Sequence, residues 1–321
     1  MNYILDIQNL NNCFIGKNQR TVVSHQINLQ LQRREILGII GESGCGKTMT
    51  ALSLTGLIPG NVKSTCDKYT LDDKTINLSD QKQLKKIRAK KIAYIFQEPV
   101  SYLNPVLTIG DQITETIYFN IERDIEKAKK RALKLLRAVG LNGKISYYHR
   151  YAHQLSTGMN QRAMIALAIA ANPKVLIADE PTSALDSTIK HTIIDLVKEL
   201  VEEFNLSIIW ITHDISLMKN FADRIIVMYA GRIIEEAQGS VIFDHPAHPY
   251  TKALISCLPE FQTPRKISYL AGEPPNLAFL PCGCKFSTRC PYAMKKCFQE
   301  EPDFTIINPK QKTKCYLLSK N

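Results

Sequence analysis

The segment GESGCGKT, residues 41 to 48, constrains the fold of this chain more than any other stretch of the sequence. Gly41, Gly46, Lys47 and Thr48 complete the phosphate-loop pattern, in which two glycines bracket four variable positions and Lys and Thr follow. The aliphatic run ILGII precedes this loop, and a stretch of helical character, TALSLTGL, follows it. Because a phosphate loop lies at the junction of a strand and a helix, these flanks predict an α/β fold.

The phosphate loop also predicts how a nucleotide is bound. Its glycines let backbone amides surround the β-phosphate of ATP at a helix N-terminus, where the helix dipole adds partial positive charge. Lys47 is expected to reach the β- and γ-phosphate oxygens, and Thr48 to bind Mg²⁺. The other loop residues expected to contact nucleotide are Ser43, Gly44 and Cys45. Cys45 is also expected to be reactive, because Lys47 and a helix N-terminus both lower a thiol pKa.

Three further aliphatic runs indicate buried strands of a mainly parallel sheet: KVLIADEP at 174–181, LSIIWITHD at 206–214 and DRIIVMYAG at 223–231. Between the first two lies STIKHTIIDLVKELVEEF, residues 187–204, whose apolar residues recur at spacings of three and four. That spacing predicts a crossover helix. After about residue 239 the composition changes to Pro, His and Cys. We therefore expect a nucleotide-binding domain over 1–240 and a small cysteine-rich extension over 241–321.

Two carboxylates follow the strand VLIA and suit nucleotide chemistry. Asp179 is expected to lie in the metal shell, and Glu180 beside it to polarise the attacking water as a base. An acidic pair after a strand is weak evidence taken alone. In this order behind a phosphate loop, it predicts hydrolysis of the bound nucleotide.

Charge and hydropathy argue against a nucleic-acid-binding, a secreted or a membrane-spanning protein. The net charge of +11 could suit nucleic acid, but much of the excess lies in 81–91 and 122–141. The second segment interleaves charge with apolar positions at helical spacing, which predicts a solvated helix face and no nucleic-acid partner. The N-terminus does not resemble a secretory signal, and the longest apolar run, AMIALAIAA, is shorter than the ~20 residues of a membrane-spanning helix. We therefore expect a cytosolic chain.

The set of motifs resembles that of ABC ATPases. QLSTGMNQR at 154–162 resembles the ABC signature, and IFQEP, SALD and ITHD resemble the Q-loop, D-loop and switch segments. The resemblance implies a helical subdomain at about 98–172 and two such domains paired head to tail, so that each ATP is shared between chains. It implies catalytic roles for Gln97 and His213 beside Glu180, with Gln97 also in the Mg²⁺ shell with Thr48 and Asp179. Further nucleotide contacts implied by the resemblance are Phe14 on adenine, and Ser156, Gly158 and Asp186.

One residue departs from the signature of that family. Thr157 stands where the first Gly of the signature pair is usual, and Asn160 replaces a residue that is usually basic. A Cβ at this position crowds the approach of backbone amides to a γ-phosphate, and a positive φ there would be strained. The affected ATP site would be the one built on the partner's phosphate loop. Alternatively, Thr is tolerated here as a family variant.

Longer segments narrow the resemblance to the ATPase subunits of peptide importers, a group that includes nickel importers. These segments are FQEPVSYLNPV, QRAMIALAIAANPKVLIADEPTSALD, VMYAGRIIEE and HPAHPYTKAL. The resemblance implies ATP-driven uptake of di- and oligopeptides, with a second, different ATPase chain, two transmembrane permease subunits and an extracytoplasmic binding protein. The chain would then lie peripherally on the cytoplasmic side of the cell membrane. The alternatives are nickel or metallophore uptake and, in another class, a soluble iron–sulfur ABC protein that acts on ribosomes or nucleic acid.

Four late cysteines form a spaced set: Cys284, Cys290, Cys297 and Cys315. Four thiolates suit either zinc or an iron–sulfur cluster, and their spacing alone leaves the metal open. The resemblance to peptide importers implies that they hold a 4Fe-4S cluster, since many members carry GC, RCP and C followed by a distant Cys as its ligands. Cys282 falls outside that pattern.

Overall fold

The structure is a computed structural model that describes residues 3–16, 19–142, 147–262, 270 and 272–319. The strands within these ranges are β1 (Tyr3–Ile15), β2 (Arg20–Gln32), β3 (Ile36–Ile40), β4 (Val62–Thr65), β5 (Lys68–Leu71), β6 (Lys74–Thr75), β7 (Ile92–Ile95), β8 (Val175–Asp179), β9 (Ser207–Thr212), β10 (Arg224–Tyr229), β11 (Arg232–Gln238), β12 (Thr305–Asn308) and β13 (Gln311–Thr313). The helices are α1 (Lys47–Thr55), α2 (Gln81–Ile87), α3 (Pro99–Tyr102), α4 (Ile109–Asn120), α5 (Ile125–Ala138), α6 (Thr157–Ile169), α7 (Ser187–Phe204), α8 (Gly239–Asp244), α9 (Pro249–Ser256) and α10 (Lys295–Gln299).

The chain is built of two compact units. The first comprises Met1–Leu5, Leu31–Arg34 and Thr70–Trp210, and it contains β7 and β8 as a parallel pair together with helices α2 to α7. Every residue of β8 is buried, as expected for a parallel strand covered on both faces. Helix α4 packs against α5 and α6. This unit therefore carries the two carboxylates at the end of β8 and the signature at the start of α6.

The second unit comprises Asp6–Gln30, Glu35–Tyr69 and Ile211–Asn321. In it β3 pairs with β10 in parallel, and β10, β11, β13 and β12 continue antiparallel in that order. Thus β12 and β13, which lie after residue 300, extend the same sheet that begins beside the phosphate loop. This unit contains the phosphate loop and helix α1 at the end of β3.

A buried carboxylate fixes the segment HPAHPY to this sheet. Glu235 of β11 is fully buried and accepts hydrogen bonds from the backbone amides of Ala247 and His248, each at 2.8 Å, and from Gln311 Nε2 at 2.9 Å. The His248 side chain then accepts from the Tyr250 amide at 3.0 Å and so caps helix α9. Three donors satisfy a charge that would otherwise be costly to bury.

The structure confirms the strands and the crossover helix predicted from the aliphatic runs. Helix α7 spans Ser187–Phe204, the range that the apolar spacing indicated, and Asp186 caps it by accepting from the Ile189 amide at 3.0 Å. The sheets are nevertheless mixed, because β11, β12 and β13 run antiparallel to their neighbours. The long strands β1 and β2 were not predicted at all, because their polar residues interrupt the apolar pattern.

Helix α5 carries much of the basic charge on its exposed side. Its buried residues are Ala128, Ala132, Leu135 and Leu136, which recur at spacings of one, three and four. Most of its Lys and Arg side chains point outward, so the predicted solvated face is confirmed. Within the described residues, no helix is both long and apolar enough to cross a membrane.

Candidate functional site

The phosphate loop turns tightly between β3 and α1. Gly46, the residue before α1, has a φ of 98°, and a Cβ at this position would lie 2.7 Å from the Val23 carbonyl oxygen. Both observations require glycine there. The Lys47 ammonium donates to the carbonyl oxygens of Gly41 at 2.8 Å and Glu42 at 2.9 Å. The Lys47 side chain thus lies back across the loop, while Ser43, Gly44 and Thr48 are exposed.

The structure contradicts the expectation that Cys45 is reactive. Its side chain is buried at 5 % exposure, and this burial raises the pKa of the Cys45 thiol, although Lys47 acts in the opposite direction. The Lys47 ammonium lies 3.8 Å from Cys45 Sγ. Desolvation of a thiolate outweighs one nearby cation, so Cys45 packs inside the loop as a thiol.

Asp179 ends β8 and is buried at 6 % exposure. The Tyr94 hydroxyl of β7 donates to Asp179 Oδ2 at 2.8 Å. Burial and the negative charge of Asp179 both raise the pKa of Tyr94, so that its hydroxyl remains a donor. Asp179 therefore presents its carboxyl group in an orientation that a neighbouring strand helps to fix.

Glu180 follows in an unusual backbone conformation. Its φ is 47°, in the left-handed region that non-glycine residues rarely occupy. Gln97 Nε2 donates to Glu180 Oε2 at 3.2 Å, so the structure brings together two of the three predicted catalytic side chains. Strained backbone of this kind costs of order 1–3 kcal/mol and tends to occur at active sites.

The signature segment begins helix α6. Ser156 caps the helix by accepting from the Met159 amide at 3.3 Å, and Thr157 is its first residue. Thr157 is exposed and is not among the described residues with positive φ, so the backbone strain that a positive φ would bring does not arise there. Gly158 is buried, and a Cβ there would lie 3.1 Å from Ile189 of α7. Asn160 is also buried, with Nδ2 donating to the Ala152 carbonyl oxygen at 3.0 Å.

The remaining predicted nucleotide residues lie at the ends of strands and helices. His213 is exposed directly after β9, and Asp186 is exposed at the start of α7. Phe14 is 40 % exposed near the end of β1, so it is not a core residue. This exposure is compatible with its predicted contact to adenine, which stays a prediction.

The four predicted cysteine ligands line one narrow cavity in the second unit. Cys284, Cys290, Cys297 and Cys315 share it with His248 and Phe286, among others. Their mutual proximity adds to burial in raising the pKa of Cys284 to about 11. Gly283 permits the approach, because a Cβ there would lie 2.2 Å from the Cys297 carbonyl oxygen. Cys282 is exposed and does not line the cavity.

No metal centre follows from this arrangement alone. In the part of the chain that the structure describes, no group of three or more His, Cys, Asp or Glu side chains could hold a metal ion. The predicted cofactor of the cysteine-rich extension is therefore unsupported by the structure.

Several residues at the site were missed at the level of sequence. For Tyr94, the one available signal was its position, three residues before the motif residue Gln97. Arg289 and Tyr250 gave none, because their partners are distant in the chain, and Ser287 gave none either. Arg289 pairs with Glu42 of the phosphate loop, and the Tyr250 hydroxyl accepts from the Glu42 amide.

Comparisons with known proteins agree with the geometry. The ABC transporter family profile matches residues 24–183. The cassette MJ0796, solved as a dimer in a post-hydrolysis state with ADP and phosphate, superposes with a TM-score of 0.65 at 30 % identity, covering 73 % of this chain and 98 % of that one. The cbiO1 subunit from Clostridium perfringens gives 0.66 at 28 % identity, covering 76 % and 92 %. The chain is thus an ATPase of the ABC class.

A second profile, the C-terminal region of oligopeptide and dipeptide transporters, matches residues 234–297. The oligopeptide transport ATP-binding protein AppD of Bacillus subtilis is 39 % identical over 99 % of this chain and 97 % of its own length. The dipeptide transport ATP-binding protein DppD of Escherichia coli is 41 % identical over 91 % and 89 %. The chain belongs to this family of peptide-transporter ATP-binding proteins.

Proposed function

We propose that this chain is the ATP-hydrolysing subunit that energises the uptake of di- and oligopeptides through a multi-subunit ABC importer. The observation that carries the proposal is near-complete coverage of oligopeptide and dipeptide transport ATP-binding proteins at 39–41 % identity. Nickel uptake and a soluble iron–sulfur protein acting on ribosomes or nucleic acid are not favoured, because the relatives named here are peptide-transport proteins. The proposed division is an ATPase domain over 1–240, with a helical subdomain at about 98–172, and an extension over 241–321.

Hydrolysis would use residues from the ends of several strands. Lys47 and the loop amides would bind phosphates, while Thr48, Gln97 and Asp179 would hold Mg²⁺, which offsets charge on the transferring phosphoryl group. Glu180 would orient and polarise the attacking water, with His213 contacting the γ-phosphate side. The 3.2 Å contact of Gln97 with Glu180 supports this assignment, because a residue between metal and base can couple their positions.

The ATP site would be completed by another subunit. Ser156 and Gly158 at the start of α6, with Asp186, would face the ATP held by the partner's phosphate loop, and the solved dimer of the cassette MJ0796 supports such pairing. We propose that the partner is a different ATPase chain and that two permease subunits and an extracytoplasmic binding protein complete the importer. The chain would then lie on the cytoplasmic face of the cell membrane.

We further propose that the cysteine cavity holds a 4Fe-4S cluster. Four thiolates are the ligand number that this cluster requires, and each binds a different iron. The Ser287 hydroxyl supports a bound group: it lines the cavity, is 3 % exposed, and lacks a hydrogen-bond partner among the described residues. When bound, the cluster would close the extension and could supply one-electron redox chemistry.

The transport proposal is tested in cells that depend on an imported peptide. Deletion of the chain should abolish uptake of labelled di- and oligopeptides, wild type should restore it, and Lys47→Ala should not. Purification in detergent should recover two membrane subunits and a second ATPase. Normal peptide uptake in the deletion strain together with loss of nickel uptake, or recovery of ribosomes in place of permeases, would contradict the proposal.

The cluster proposal is tested on protein purified without oxygen. About four irons and four sulfides per chain are expected, as this cluster type requires. Serine at any of the four cavity cysteines should remove the iron, whereas Cys282→Ser is the matched control and should retain it. Stoichiometric zinc without iron would overturn the cluster and leave the transport proposal intact.

A further inference from the structure

A residue of the C-terminal extension, Arg289, forms an ion pair with Glu42 of the phosphate loop. Arg289 Nη1 lies 2.7 Å from Glu42 Oε2 and Nη2 lies 3.1 Å from Oε1, so the guanidinium grips the carboxylate with two parallel hydrogen bonds. The Arg289 side chain is only 5 % exposed. A bidentate pair in a shielded position is the strongest form of this interaction. Nothing in the phosphate-loop pattern requires an acidic residue at position 42.

The charge of Glu42 needs a partner in this position. A carboxylate within a loop that binds phosphates raises the electrostatic cost of every anion that enters. Arg289 neutralises that charge and at the same time anchors the side chain. The pair therefore offsets the unfavourable charge of Glu42 and lets the extension hold the phosphate loop through this side chain.

The backbone of Glu42 is held as firmly as its side chain. Its amide donates to the Tyr250 hydroxyl at 2.9 Å, and its carbonyl oxygen accepts from the Lys47 ammonium at 2.9 Å. Tyr250 is completely buried. With Arg289 on the carboxylate, Glu42 is fixed through its amide, its carbonyl group and its side chain. This leaves the loop little freedom to change its curvature.

Arg289 and Tyr250, which contact Glu42, are held together by a cluster of aromatic side chains. The Tyr229 hydroxyl accepts from Arg289 at 3.3 Å, and the rings of Tyr229 and Tyr250 both pack edge-on against Phe286. Pro274, Pro275 and Leu277 of the extension line a small cavity together with Ser43 and Gly44. The extension therefore borders the loop at a second place.

We propose that Arg289 and Tyr250 are positioning residues of the ATP site, through which the extension keeps the phosphate loop in the curvature that accepts nucleotide. Neither residue belongs to the phosphate loop, and both act on it through Glu42. Their effect is preorganisation: the loop is already shaped before ATP arrives, so binding loses less conformational entropy. The proposal requires only the ATPase activity and is independent of the proposed cluster.

The test uses the full-length chain, with Arg289→Gln and Tyr250→Phe as probes. The dissociation constant of a fluorescent ATP analogue should rise about 10- to 100-fold for Arg289→Gln, which loses a charged contact, and about 3- to 10-fold for Tyr250→Phe, which loses a neutral one. In the assembled importer KM for ATP should rise similarly, with kcat changed by less than about twofold, as expected when ground state and transition state lose the same interaction. Glu42→Gln combined with Arg289→Gln should bind more tightly than Arg289→Gln alone, because the unpaired carboxylate is gone.

Lys312→Gln is the matched control, since it removes a cation of the extension that pairs at 2.9 Å with Glu236 of β11 and not with Glu42. It should leave ATP binding unchanged. A folded Arg289→Gln variant with wild-type affinity, or an Arg289→Gln effect matched by Lys312→Gln, would overturn the proposal. If Arg289→Gln fails to fold, Tyr250→Phe decides, because it keeps the buried ring: wild-type affinity in that variant would overturn the proposal equally.

Discussion

Replacing Tyr94 with Phe isolates one hydrogen bond of the proposed metal site. The substitution keeps the ring, which lies 4.6 Å from that of Phe96, and removes only the hydroxyl that donates to Asp179 at 2.8 Å. The acceptor is a carboxylate at 6 % exposure, so this is a charge-assisted bond with little competition from water. Asp179 should then be oriented less firmly toward Mg²⁺.

The size of the effect follows from that geometry. A hydrogen bond to a charged group contributes about 1.5–3 kcal/mol, and loss of a partner that orients a metal ligand typically costs about 10- to 100-fold in metal affinity or activity. The two ranges agree, because about 1.4 kcal/mol corresponds to a factor of ten. We therefore expect the half-saturating Mg²⁺ concentration for ATP turnover to rise about 10- to 100-fold in Tyr94→Phe.

Turnover of the assembled importer is measured while Mg²⁺ is titrated at fixed, saturating ATP. Tyr118→Phe of helix α4 is the control for loss of a hydroxyl elsewhere in the same unit, and Asp179→Asn gives the effect of losing the metal ligand itself. The reasoning is refuted if Tyr94→Phe needs no more Mg²⁺ than wild type while Asp179→Asn is strongly impaired. In that case the Tyr94 hydroxyl would serve only the packing of β7 against β8.

Four further predictions concern other residues. Glu180→Gln should retain ATP but hydrolyse it about 10² to 10⁴ times more slowly, measured as phosphate release; near-normal release would contradict a base at this position. Cys45 should react with a maleimide more slowly than exposed Cys282, as followed by mass spectrometry, and equal rates would contradict its burial and raised pKa. Thr157→Gly should raise turnover of the assembled ATPase pair if its Cβ crowds the partner's ATP, whereas unchanged turnover would mean that Thr is accommodated. Ser287→Ala should keep the iron content but lower the reduction potential of the proposed cluster, since hydrogen bonds to cluster sulfur favour the reduced form; an unchanged potential would place that hydroxyl elsewhere.

The parts of the fold that sequence reasoning could predict are those in which local pattern and tertiary environment agree. The aliphatic run before the phosphate loop is a wholly buried strand, and the apolar spacing of 187–204 gave helix α7 at its observed limits. In both segments burial on defined faces imposes a periodicity that can be read locally. Strands β1 and β2 lack such a pattern, because several of their polar residues form contacts along the sheet, as Asn12 does with Ser24 at 2.7 Å.

The residues of the candidate site likewise fall into two groups, those that a local motif identifies and those whose role depends on the whole fold. Motif residues such as Lys47, Asp179 and Glu180 could be predicted because phosphate chemistry fixes their type and order. The state of Cys45 could not, since burial decides its pKa and burial depends on the whole fold. Arg289 could not be predicted either, because it meets Glu42 across 247 positions of the chain.

The pairing of β13 with β11 has a consequence for how the protein is made. Strand β11 ends at Gln238, but its partner β13 is not translated until residue 313, about 75 residues later. At synthesis rates of about 5–20 residues per second, β11 remains an open sheet edge for roughly 4–15 s on each nascent chain. Open edges invite pairing with other chains, so newly made protein is most prone to aggregate in this interval. A prematurely terminated chain that stops before β12 would keep that edge exposed permanently, even though it contains every nucleotide motif.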